Sequence, residues 1–266
     1  MQTLTSKDGT IIAFDKAGHG SALILVGGAF EQRAMESETA KLAVSPVMTQ
    51  QFTVYHYDRR GRGDSTDTLP YAVAREIEDI EALIDDAGGT AFVFGISSGA
   101  GLAFEAAAVL GDKIKKLAMY EPPYNDDTEA RQAWKTFRAQ LDETLAAGKR
   151  GEAVGLFMSL LGVPAEQLAE MAHYPMWPMW EAVAPTIAYD AAALGEEAAV
   201  PIQKAAQISV PTLIMNGDTS YPFMAESAAA LASAMPHGQH LTLEGQTHEV
   251  SIEALAPVLV DFFTHA

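Results

Sequence analysis

An α/β protein is what this 266-residue sequence predicts: a mostly parallel eight-stranded sheet flanked by helices, with a helical insertion. Three observations carry that expectation. Short continuous apolar runs recur along the chain, as strands buried on both faces of a parallel sheet require. Stretches of helical periodicity separate most of these runs, and alternating strands and helices imply a parallel sheet under a helical cover. The rhythm then breaks, because nearly ninety residues between Glu121 and Val210 hold helical periodicity but no strand-like run.

In chain order, Gln2 to Ser6 and Thr10 to Ala17 read as paired strands, with Lys7-Asp8-Gly9 as the turn between them. Ala22 to Val26 is a continuous apolar run ending in Gly27-Gly28. Similar runs follow at Phe52 to Tyr57, Ala91 to Phe94, Leu117 to Tyr120, Thr212 to Met215 and His240 to Leu243. Ala72 to Asp86, Gly99 to Leu110 and Ser251 to Phe263 show helical spacing, and Ala228 to Ala234 is rich in helix formers. A structureless loop as long as the strand-free interval is rare inside a compact domain, so it is read as helices lying over one end of the sheet. This divides the chain into a core of residues 1–123 and 209–266 and a helical cap of residues 124–208. Within the cap, the run from Met171 to Trp180 offers Met176, Trp177 and Trp180 both as core and as an adaptable apolar pocket wall. Pro175 and Pro178 imply a non-helical stretch there, suited to lining a mouth.

Composition removes several function classes. Seventeen Lys and Arg against 35 Asp and Glu give a formal charge of −18, which argues against nucleic acid and anionic membrane surfaces as partners. The absence of cysteine excludes disulfides, thiolate metal sites and a cysteine nucleophile. No apolar run is long enough to span a bilayer and no signal peptide is visible, so the cytoplasm is the expected address. No phosphate-cradling G-x-x-x-x-G-K is present, Ser97 occupies a position where a dinucleotide loop needs glycine, and no histidine pair has metal-ligand spacing. No cofactor and no metal are expected, and the partner is a small-molecule substrate.

The sharpest chemical signal is Gly95-Ile96-Ser97-Ser98-Gly99, between the apolar run Phe92 to Phe94 and the small-residue helix opening Ala100-Gly101. Glycines two residues either side of a serine permit a sharp strand-to-helix turn that lifts the hydroxyl clear of the backbone at a helix N-terminus. A serine needs a base to become a nucleophile. Of seven histidines, His248 is best placed, between the last strand and the terminal helix.

These pieces, with Val26-Gly27-Gly28, the segment Tyr57-Asp58-Arg59-Arg60-Gly61-Arg62-Gly63-Asp64-Ser65, Pro211 to Gly217 and Leu243 to His248, resemble in order and spacing the α/β-hydrolase superfamily in its small, cap-bearing bacterial form. The resemblance implies Ser97 as nucleophile and His248 as general base. It also implies an acid three residues beyond the glycine matching Gly217, but Ser220 stands there. Two carboxylates remain: Asp218, directly after Gly217, and Glu121, at a strand end 24 residues after Ser97. Glu121 is preferred because a branch of the superfamily carries its acid at that strand end. Asp218 stays open as the alternative, with a turn residue making local backbone hydrogen bonds as its bland reading. The backbone amides of Ser98 and Ala29 are the implied oxyanion donors, with Gly27 standing where the family usually has histidine and Phe30 beside the substrate. The arginine-rich segment reads as structural, its acidic ends suggesting internal salt bridges.

The expected function is a serine hydrolase acting on a small-to-medium hydrophobic ester, of carboxylesterase or lactonase type, through an acyl-enzyme. The alternatives are a cofactor-free perhydrolase, a carbon–carbon hydrolase or a lyase on the same residues, or a catalytically silent binding protein.

Overall fold

Eight strands form one sheet in the computed structural model, which describes residues 1–265. They are β1 (Gln2–Thr5), β2 (Ile11–Gly18), β3 (Ser21–Val26), β4 (Phe52–Tyr57), β5 (Ala91–Ile96), β6 (Ile114–Tyr120), β7 (Thr212–Gly217) and β8 (Gly238–Leu243). Their spatial order is β1-β2-β4-β3-β5-β6-β7-β8. β2 runs antiparallel to both β1 and β4, and every later pairing is parallel.

The helices are α1 (Glu38–Val44), α2 (Pro46–Thr49), α3 (Val73–Asp86), α4 (Ser98–Leu110), α5 (Thr128–Ala146), α6 (Arg150–Leu160), α7 (Ala165–Met171), α8 (Trp177–Val183), α9 (Ile187–Ala193), α10 (Ile202–Ala205), α11 (Pro222–Ala234) and α12 (Ile252–Thr264). The pleat sends successive residues of one strand into different cores. Ile24 and Val26 of β3 join the cluster under α3, α4 and α11, whereas Leu23 and Leu25 join the one under α1, α2 and α12. Both faces of the central strands are thus covered, which is why these strands read as unbroken apolar runs.

The connections position the site. From β3 the chain moves outward through α1 and α2 to β4, then returns through α3 to β5 on the other side of β3. The strand order therefore reverses between β3 and β5. In open α/β sheets the carboxyl edge at such a reversal opens a crevice.

The strand-free interval holds six helices, α5 to α10, all between β6 and β7. They build a third apolar cluster in which Phe137, Leu141, Val154, Trp177 and Ile187 pack with Phe30 from the loop after β3. The Met171–Trp180 stretch is less irregular than its prolines suggest. Pro175 lies in the break between α7 and α8, but Pro178 sits in the first turn of α8, where its missing N–H has no intrahelical acceptor to lose.

The arginine-rich segment is indeed a buried structural element, but its acidic ends do not pair with its own arginines. Asp58 and Asp64 both bind Arg33, at 3.1 and 2.7 Å. Arg59, Arg60 and Arg62, each almost fully buried, reach Glu76, Asp79 and Asp190 on distant helices. His240 lies inside β8, where its Nε2 meets Asn216 Oδ1 at 2.7 Å.

Candidate active site

Ser97 follows the last residue of β5 with φ 54° and ψ −129°, outside the regions L-residues favour, and α4 starts at the next residue. The flanking glycines make this corner possible. A Cβ on Gly95 would stand 2.5 Å from Gly99 O, and one on Gly99 would stand 2.3 Å from Val26 O and 2.4 Å from Gly27 O. The helix therefore packs directly on the backbone of β3 and β5. Ser97 N donates to Tyr120 O at 2.9 Å, tying the corner to β6.

His248 lies in the loop between β8 and α12, and two bonds hold that loop against the sheet edge. Tyr120 Oη donates to Thr247 O at 2.5 Å, and Thr219 Oγ1 donates to Gln246 O at 2.7 Å. The imidazole is about one-third exposed (34%) while the carboxylate beyond it is closed off (0%). His248 Nε2 stands 3.1 Å from Ser97 Oγ, and His248 Nδ1 stands 2.6 Å from Glu121 Oε2.

Glu121 directly follows β6 with φ 46°, a second non-glycine residue in the left-handed region. Its backbone N–H donates to Met215 O at 2.9 Å. A buried carboxylate is costly unless its lone pairs are satisfied. Here Oε1 accepts from Gly217 N at 2.9 Å, and Oε2 accepts from Ser220 Oγ at 2.8 Å in addition to meeting the imidazole. Asp218 is exposed and caps a turn instead, its Oδ1 accepting from Gly245 N at 2.7 Å. The structure brings Ser97, His248 and Glu121 into one hydrogen-bonded line and leaves Asp218 outside it.

Among the described residues, the amides of Ala29 and Ser98 donate to no backbone or side-chain acceptor. Ser98 N opens α4, where the first-turn amides have no intrahelical partner and the helix dipole favours negative charge. Gly27, lacking a side chain, leaves room for Glu31. A Cβ on Gly27 would meet Glu31 Cβ and Oε2 at 3.1 Å. Burial pushes the Glu31 carboxyl above the usual range, against the opposing hydrogen bond from Thr39 Oγ1 at 2.5 Å.

Phe30, with φ 63°, packs edge-to-face on Phe157 at 5.2 Å between centroids and tilts against Trp180 at 5.9 Å. Trp177 is buried beside Trp180 and donates its Nε1–H to Glu181 Oε1 at 3.1 Å, whereas Met176 is exposed. Three residues at the site escaped the sequence reading: Tyr120, Ser220 and Asp190. Asp190, on α9, accepts a hydrogen bond from Ser98 Oγ at 2.9 Å. No local motif marks any of the three. Only the departure at Ser220 from the family's acid hinted that this position had another task.

No helix among the described residues is long and apolar enough to cross a membrane. Known proteins extend the picture. An alpha/beta hydrolase from Sphaerobacter thermophilus is 49% identical over 99% of this chain and 100% of its own, with a TM-score of 0.86. The same fold, at 20% identity and a TM-score of 0.70, occurs in a thermophilic esterase from Thermogutta terrifontis, with 99% of this chain and 98% of the other covered. It occurs again in the enol-lactonase from Burkholderia xenovorans, at 21% identity and a TM-score of 0.68, with 99% and 100% covered. The model of the alpha/beta hydrolase family matches residues 23–258. With that match spanning most of the sheet and all the helices between β6 and β7, the chain belongs to the alpha/beta hydrolase family.

Proposed function

We propose that this protein is a serine hydrolase of small-to-medium hydrophobic esters, of carboxylesterase or lactonase type, working through an acyl-enzyme. The observation that carries the reading is the line from Ser97 Oγ through His248 to Glu121, with both contacts at hydrogen-bond distance. Glu121 fixes the Nδ1–H tautomer, which leaves Nε2 free to accept the Ser97 proton as Oγ attacks the ester carbonyl. The carbonyl oxygen becomes an oxyanion held by the amides of Ala29 and Ser98. The imidazolium then returns its proton to the leaving alkoxide, giving the alcohol and an ester on Ser97. In the second half, water loses a proton to His248 as it attacks that ester, and Ser97 departs with the proton restored.

The helical segment of residues 124–208 acts as a cap over the carboxyl edge of the sheet. Phe30 and Trp180, with Trp177 behind them and Met176 at the rim, give the acyl or alcohol portion an apolar surface. Fold likeness to the esterase and the enol-lactonase is compatible with this chemistry but does not choose between the two substrates.

The test uses a fluorophosphonate probe and p-nitrophenyl esters of graded chain length. The parent protein is labelled at Ser97 and turns over at least one ester. Ser97→Ala abolishes labelling and lowers turnover at least ~10³-fold. A well-folded parent that leaves Ser97 unlabelled and turns over none of the esters would refute the reading.

A further inference from the structure

Beside Ser97 lies a buried ionic cluster that takes no part in the proton transfers above. Asp190, on α9, has both carboxylate oxygens occupied. Oδ1 accepts from Ser98 Oγ at 2.9 Å and from Arg59 Nη1 at 2.5 Å, and Oδ2 accepts from Arg62 Nη2 at 2.7 Å. Arg59 is also held by Glu76 through two bonds of 2.8 Å. For Arg62, Asp190 is the acidic partner. Arg62 then reaches across the site, its Nη1 donating to Gly28 O at 2.5 Å.

That last contact matters because of peptide geometry. The carbonyl of Gly28 and the amide N–H of Ala29 belong to the same rigid peptide unit and point in opposite directions. A guanidinium gripping the carbonyl therefore fixes the plane in which the Ala29 N–H lies and polarises that N–H as a donor. On the other side, the Ser98 hydroxyl ties the residue bearing the second free amide to the same carboxylate. One side chain from the helical segment thus links both walls of the place where the oxyanion would form, with Thr186 Oγ1 as a further partner of Arg62 at 3.0 Å.

We propose that Asp190 is a positioning residue for the oxyanion hole, fixing the spacing and aim of the Ala29 and Ser98 amides through Arg62 and the Ser98 hydroxyl; this rests on the serine-hydrolase reading. The placement explains why charges are buried here at all. An apolar cluster of the same volume would be at least as stabilising, but it would not orient a peptide plane. It also ties α9, alone among the cap helices in contacting the Ser97–Ser98 corner through a carboxylate, to the catalytic edge of the sheet.

The experiment uses the full chain with Asp190→Asn and Ser98→Ala, a hydrolysable ester and a trifluoromethyl ketone that forms a tetrahedral adduct with an activated serine. Asp190→Asn is expected to lower kcat about 10- to 100-fold with KM within about twofold, since a small misplacement of such groups costs this much. Ser98→Ala, which leaves both arginine pairs intact, is expected to lower kcat about tenfold. In both, the ketone inhibition constant rises by the factor that kcat falls, a shift that mere loss of folded protein does not produce. If Asp190→Asn does not fold, Ser98→Ala decides. Parental kcat with parental inhibition, or a lower kcat with unchanged inhibition, overturns the proposal. A parent that is neither labelled by fluorophosphonate nor inhibited by the ketone overturns the hydrolase reading and this proposal together. A labelled parent with unaffected variants overturns this proposal alone.

Discussion

Replacing Glu121 by Gln changes one oxygen to an amide nitrogen, and the surroundings dictate which one. Gly217 N–H points at Oε1 from 2.9 Å and can only donate, so the Gln oxygen takes that place. The NH2 group is then forced into the place of Oε2, facing His248 Nδ1 and Ser220 Oγ. Both neighbours can accept: the hydroxyl rotates, and the imidazole moves its proton to Nε2. Every buried polar group remains paired, so the fold is kept and stability changes by no more than about 1 kcal/mol. The imidazole, however, now holds the wrong tautomer. Its Nε2–H donates toward Ser97 Oγ instead of accepting from it, and no group is left to take the hydroxyl proton. Inverting the tautomer in this way costs on the order of 10⁴ in kcat, or about 5.5 kcal/mol of barrier. Asp218→Asn keeps an acceptor for Gly245 N–H and should lie within about twofold of the parent. The assay is steady-state hydrolysis of the best p-nitrophenyl ester, with thermal melting as a check on folding. A Glu121→Gln enzyme within tenfold of the parent, or an Asp218→Asn enzyme equally crippled, removes Glu121 from the mechanism.

Gly99→Ala should lower stability by at least about 1–3 kcal/mol, because its Cβ meets two backbone carbonyls at 2.3 and 2.4 Å that have no room to move. Gly155→Ala, in the middle of α6 with nothing within 4 Å, should raise it by up to about 1 kcal/mol; equal melting temperatures for the two variants contradict the packing argument. Burial lowers the His56 pKa to about 4, with Arg33 acting in the same direction and Asp58 opposing it. A histidine depressed in the native state stabilises fully above its unfolded pKa of about 6.5, and that contribution is lost as pH falls toward 4, about 3 kcal/mol in all. Urea midpoints of parent and His56→Gln between pH 7 and 4.5 should therefore show a steeper loss in the parent, and parallel curves count against the assignment. Arg60→Ala should cost about 3–5 kcal/mol, since it strands buried Asp79, held now by two bonds of 2.8 Å, whereas Lys149→Ala at the exposed Glu152 pair should stay within about 0.5 kcal/mol. Comparable losses in these two variants, measured by chemical denaturation, would show that burial of the pair does not set its worth.

The central strands were legible because burial on both faces leaves so little freedom in residue choice. Leu23, Ile24, Leu25 and Val26 must each suit a core, so apolarity runs unbroken. The turn at Ser97 was legible for a related reason. Gly95 and Gly99 are needed where α4 rests on backbone, and that need leaves a mark in the sequence at fixed spacing. The carboxylate that meets His248 was less legible, because β6 and β7 are parallel neighbours, with Tyr120 opposite Met215, and both end at the same edge. A carboxylate on either strand end is within reach of one imidazole, so spacing alone left Glu121 and Asp218 both open. Asp190 was invisible for a different reason. It lies 92 residues from Ser98, on a short helix, and an acidic residue there has no pattern to distinguish it from a solvated one. The ends of the arginine-rich segment misled in the same way, since their true partner, Arg33, belongs to another loop.

The exchange between β6 and β7 has a physical logic of its own. A carboxylate at the end of β7 would need donors from its surroundings. Here the charge stands just past the end of β6, and the end of β7 with the turn after it supplies the donors, Gly217 N–H and the Ser220 hydroxyl. Glu121 takes a left-handed backbone turn at φ 46°, a conformation that costs of order 1–3 kcal/mol outside glycine and persists only where neighbours hold it. Its own amide bonded to Met215 O and its carboxylate bonded to Gly217 and Ser220 do that holding. Ser220 is therefore no mere gap in the family's pattern. It is a hydroxyl that gives a fully buried carboxylate at the neighbouring strand end one of its donors, and an acid at residue 220 would instead take that donor away and set a second carboxylate against the first.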